Sequence, residues 1–68
     1  MNPIAHFLAQ RATLGSSSHA FLQFLIWYDD SVAGKILLVV EACEILEKLT
    51  PEEQEALWAR YCLEKEET

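Results

Sequence analysis

The chain has 68 residues, 51% of them hydrophobic, and eleven acids against five bases, for a formal net charge of −6. That length makes one small domain, which buries only ~60% of its extended-chain surface. An acidic surface repels phosphate, which argues against direct nucleic-acid binding and disfavours anionic membrane.

The charge is unevenly placed. Residues 1–28 carry Arg11 alone, whereas residues 29–68 carry eleven acids against four bases, a local net of −7. The first two-fifths of the chain is therefore almost wholly apolar or neutral.

Asn2-Pro3 is a helix start, with Asn as N-cap and Pro at the first helical position. A first helix is predicted from Pro3 to about Leu14. Ile4, Ala5, Leu8 and Ala12 share a face, flanked by Phe7 and Leu14. Gly15 suits a C-terminal cap. One of Ser16, Ser17 and Ser18 should cap the next helix, and so short a loop implies a helical hairpin.

The segment HAFLQFLIWYD, from His19 to about Asp29, is the most apolar. It shows no period-2 alternation and has no hairpin partner, so a helix is predicted rather than a buried strand. Phe21, Phe24, Leu25 and Tyr28 make one face, and Leu22 and Ile26 a second.

Asp29-Asp30-Ser31 interrupts the apolar pattern. Acids favour a helix N-terminus and oppose a C-terminus. Asp30 or Ser31 is thus expected to cap a third helix over residues 32–49. The rival is one helix from His19 to Leu49, kinked near Gly34. In KILLVVEACEILEKL, Ile36, Val39, Val40, Cys43 and Leu46 form one stripe, with Leu38, Ala42, Ile45 and Leu49 beside it. So wide an apolar arc predicts a central helix, covered on at least two sides.

Thr50-Pro51-Glu52-Glu53 is a capping box with Pro at the first helical position. It should start a last helix over residues 51–65, with Leu57, Trp58, Tyr61 and Cys62 facing inward.

No chemical motif survives inspection. Ala33-Gly34-Lys35 resembles the end of a phosphate-binding loop, but Asp29 stands where the earlier Gly is needed and Ile36 where Ser or Thr is needed. His6, His19, Cys43 and Cys62 lack the close ligand pairs of a zinc site. Ser16 to Ser18 beside His19 lack the third member of a triad. A helix-turn-helix would need basic or amide side chains where these helices carry Glu. No catalytic residue, metal or cofactor is expected, and the chain is read as non-enzymatic. Cys43 and Cys62 fall on apolar faces and read as reduced thiols of a cytoplasmic protein. No signal-peptide pattern opens the sequence, and its longest uncharged run, Ala12 to Tyr28, contains Gly15, three serines, His19 and Gln23, unlike a membrane span.

The expectation is an all-α single domain of three to four short helices in a bundle, pairing as a homodimer. So much apolar side chain exceeds what a monomer this small can hide. A protein–protein interface is expected at Leu22, Ile26, Trp27, Tyr28, Trp58 and Tyr61, since Trp and Tyr dominate interface hot spots. The function expected is an adaptor or inhibitor of a larger protein, with the acidic face steering it toward a basic partner. The alternative is a nucleic-acid mimic presenting Glu52, Glu53 and Glu55 to the basic groove of a DNA- or RNA-binding protein.

Overall fold

The structure, a computed structural model, describes residues 3–14 and 18–67, with side chains from 3–10 and 18–66. Four α-helices follow in order, α1 (Pro3–Leu14), α2 (His19–Tyr28), α3 (Val39–Glu47) and α4 (Pro51–Glu67). Among the described residues there is no strand. The predicted caps at Asn2 and Gly15 lie outside the described residues.

Local signals set the starts of α2 and α4. Ser18 is extended, and its hydroxyl oxygen accepts from the Phe21 amide at 3.1 Å. At α4, Thr50 Oγ1 accepts from the Glu53 amide at 3.1 Å, and the Glu53 carboxylate accepts from the Thr50 amide at 3.0 Å. Both orphan donors of the capping box are thereby satisfied. The helix continues two residues past Lys65, to Glu67.

The join between α2 and α3 departs from expectation. Beyond Tyr28 the helix widens into a single π turn, Asp29–Ala33. Gly34, at φ +69°, ends it: the Gly34 amide donates to the Asp29 carbonyl, and the Lys35 amide donates to the same oxygen at 3.0 Å. Residues 34–38 are irregular, and α3 begins at Val39 rather than near Val32. Neither Asp30 nor Ser31 caps α3, and no helix runs from His19 to Leu49. Gly34 explains the difference. It can take the left-handed conformation that closes a helix, which a β-branched or bulky residue resists. The acids therefore end one helix instead of opening another. Extended Leu38 opens α3, its amide donating to the Glu41 carboxylate at 3.3 Å.

The turn between α3 and α4 is tied from within. Lys48 and Leu49 amides donate to the Ile45 and Leu46 carbonyls, both at 3.2 Å, tightening the last turn. Gln54, the buried polar side chain of α4, reaches back and donates from Nε2 to the Leu46 carbonyl at 2.8 Å.

All four helices contribute to one core. Ile4, Phe21, Phe24, Leu25, Tyr28, Ala42, Cys43, Leu46 and Tyr61 are buried together, with α1 lying against α3 and α4. The radius of gyration is 11.3 Å, close to the ~11 Å of a folded domain this long. The chain's three Phe, two Trp and two Tyr all join one network of ring contacts. Phe24 is its hub, with centroids 5.3 Å from Trp58 and Tyr61, 5.6 Å from Trp27, and 6.3 Å from Phe21 and Tyr28. Phe7 joins through Phe21 at 5.2 Å and Trp58 at 5.8 Å.

Coverage of α3 is one-sided. Ala42, Cys43 and Leu46 are buried, but Val39, Val40 and Ile45 are exposed. The broad apolar arc is real, yet the fold encloses only part of it.

Candidate binding cleft

Phe21, Phe24, Tyr28 and Tyr61 are buried and Phe7, Trp27 and Trp58 half-buried, so the most exposed large apolar side chains are aliphatic. Ile36 is 93% exposed, Leu38 71% and Ile26 64%. Val39 and Val40, directly after Leu38, are exposed as well. Ile36 sits in the irregular segment, three and four residues before Val39 and Val40, in helical register with the buried Cys43. The break at Gly34 removes it from that stripe and leaves it standing in solvent. A chain of 7.8 kDa exposes 4729 Å², somewhat above the ~4,400 Å² usual for a monomer of that mass.

Ile26 and Ile36 line one cleft of about 740 Å³ between the end of α2 and the segment before α3. Trp27, Asp29, Asp30, Ser31, Gly34 and Lys35 complete its walls. Leu22, one turn before Ile26 on α2, is also exposed.

The polar groups of this cleft are poorly served by the chain itself. The Trp27 indole Nε1 and Asp29 Oδ1 are both shielded from solvent without a hydrogen-bond partner among the described residues. An unpaired buried polar group costs about 1–3 kcal/mol. Asp29 and Asp30 occupy a helix C-terminal turn, where the macrodipole opposes negative charge. Among the described residues neither has an ion-pair partner, although Lys35 lines the same cleft. The π turn is itself a rare conformation that recurs at functional sites. Four breaches of local preference thus gather within Ile26 to Leu38, which is where a binding function is to be sought.

Arg60 of α4 braces this corner from behind. Its guanidinium lies 5.6 Å from the Trp27 ring centroid, pairs with Glu64 at 3.0 Å and donates to the Ser31 carbonyl at 3.5 Å. The π turn is therefore held against α4 rather than hanging free.

The six residues expected at an interface are divided by the fold. Ile26 and Leu22 are exposed and Trp27 is half-buried in the cleft wall. Tyr28 and Tyr61, only 7% and 8% exposed, belong to the core, and Trp58 is half-buried against Phe24 and Tyr61. Periodicity places Ile36, Leu38 and Val40 on the apolar arc of a central helix and so does not reveal their exposure. Gly34 beside two acids was the available signal. Glu52, Glu53 and Glu55 are exposed on α4, away from the cleft, with Glu53 engaged in its cap.

Among the described residues no three His, Cys, Asp or Glu side chains gather as metal ligands, and no helix is long and apolar enough to cross a membrane. Cys43 is buried and Cys62 half-buried, and neither forms a disulfide among the described residues. No family profile, curated protein or solved structure matches this chain.

Proposed function

We propose that this protein is a small, acidic, non-catalytic interaction module, which docks a basic segment of another protein on the cleft lined by Ile26 and Ile36, with the exposed Leu38 and Val40 following in the chain. The observation that carries this reading is the 93% exposure of Ile36 at the mouth of a cleft. Burying one such side chain yields about 1.5–3 kcal/mol. Two or three of them supply a hydrophobic anchor, and the net charge of −6 selects a basic partner and speeds encounter.

A second copy of the chain is a less suitable occupant. Each copy carries the same −6 charge, and two-fold pairing across the cleft sets its Asp29 and Asp30 near their equivalents. A cytoplasmic setting belongs to the same reading, supported by two cysteines that form no disulfide among the described residues.

The test is capture from the native cell with four baits: wild type, Ile36→Asp, Leu63→Asp, and the triple change of Glu52, Glu53 and Glu55 to Gln. Leu63 is a comparably exposed aliphatic residue on α4, at 62%, and controls for greasiness alone. The proposal requires one partner retained by Leu63→Asp and by the triple variant but lost with Ile36→Asp. Loss with the triple variant alone favours the nucleic-acid mimic. Light scattering that shows a wild-type dimer dissociated by Ile36→Asp assigns the corner to a second copy instead.

A further inference from the structure

Resting on that reading, we infer that the cleft between α2 and the segment before α3 takes a cationic side chain, an arginine or lysine flanked by aliphatic residues, from the docked partner. Three separate features call for positive charge at this point. Asp29 and Asp30 line the cleft with no ion-pair partner among the described residues. They stand on the closing turn of a helix, whose dipole adds partial negative charge to theirs. Asp29 Oδ1 has no donor among the described residues. A guanidinium or ammonium placed between the two carboxylates answers all three at once.

The walls define the rest of the occupant. Ile26 and Ile36 are aliphatic and exposed, so the cation arrives on a segment with apolar neighbours. The Trp27 indole N–H, also without a partner, needs an acceptor, and the carbonyls of a polypeptide backbone supply one. Both orphan atoms are shielded from solvent, so a small rotation of each side chain accompanies docking. A metal ion suits the cleft less well. Two carboxylates fall short of a metal's ligand set, and half the lining is apolar or aromatic.

The test uses synthetic peptides and the full chain. One peptide combines Leu and Arg at helical spacing, and its twin replaces every Arg with Gln. Each is titrated, with tryptophan fluorescence as the readout, into wild type, Asp29→Asn/Asp30→Asn, Ile36→Asp, and the triple variant of Glu52, Glu53 and Glu55 to Gln. The expected result is that the Arg peptide binds wild type about tenfold or more tightly than the Gln peptide, the scale of one charge-assisted hydrogen bond. That advantage disappears in Asp29→Asn/Asp30→Asn and persists in the triple variant. Equal binding of both peptides overturns the cation inference and leaves the aliphatic docking surface standing. An advantage lost in the triple variant but kept in Asp29→Asn/Asp30→Asn places the cation on α4 and also overturns it. Binding of neither peptide overturns it as well, and the Ile36→Asp capture experiment decides the docking surface independently.

Discussion

Phe24 is the residue whose loss the fold should tolerate least. It is fully buried, and its ring meets five others at centroid distances of 5.3–6.3 Å. Truncation of a buried Phe to Ala costs about 3–5 kcal/mol, through lost transfer energy and the cavity left behind. A domain of this length has a total stability of about 3–10 kcal/mol, at 0.05–0.15 per residue. Phe24→Ala should therefore remove from about a third to all of the chain's stability at 25 °C. Phe24→Leu keeps most of the volume and forfeits the ring contacts, so a loss of about 1–2 kcal/mol is expected. Urea titration reads both. Helicity by circular dichroism follows the whole chain, while fluorescence follows Trp27 and Trp58, both of which contact Phe24. The two probes should report one midpoint in the wild type and an equally shifted one in Phe24→Leu, with an unchanged slope. A Phe24→Ala protein within 1 kcal/mol of wild type would refute the view that one aromatic network organises all four helices.

Other substitutions separate the exposed aliphatic residues from the scaffold. Ile36→Asp should leave the urea midpoint unchanged, because a side chain 93% exposed contributes little to folding. Gln54→Leu strips the Leu46 carbonyl of its side-chain donor and should lower stability by about 1–3 kcal/mol, read from the same titration. Gly34→Ala meets no neighbour within 4 Å, yet forces a Cβ into the left-handed region, so a loss of about 1–2 kcal/mol is expected with the fold retained. Asp30→Asn removes a charge that the helix dipole opposes and should raise stability by about 0.3–1 kcal/mol at low salt, with the gain fading as salt rises.

What could be read in the chain was what short-range chemistry decides. The start of α4 follows from four consecutive residues, and that of α2 from a serine followed by an apolar run. The π turn could not be read this way. Asp29-Asp30-Ser31 makes an acceptable N-cap, and Ile36 stands in perfect register with Val40 and Cys43, so both local signals pointed to an earlier start for α3. In the structure Gly34 closes the π turn, and Arg60, twenty-nine positions after Ser31, reaches its carbonyl at 3.5 Å. Such a long-range contact has no periodic trace. Which apolar side chains stay exposed was illegible for a related reason. Aromatic content signalled an excess of apolar side chain, but rings that contact one another on three helices, α1, α2 and α4, fill an interior efficiently. Aliphatic residues next to the helix break were left outside instead.

The irregular stretch from Gly34 to Leu38 has a topological consequence. Lys35 within it is exposed, and of its neighbours only Leu37 leans on the core, which makes the peptide bond after Lys35 an open target for trypsin. A single cut there would leave α1 with α2 on one fragment and α3 with α4 on the other. Phe24 would still face Trp58 and Tyr61 across the gap, and α1 would still lie on α3 and α4. The two halves should consequently reassemble from solution as a non-covalent pair, with chain continuity serving speed of folding more than the integrity of the finished molecule.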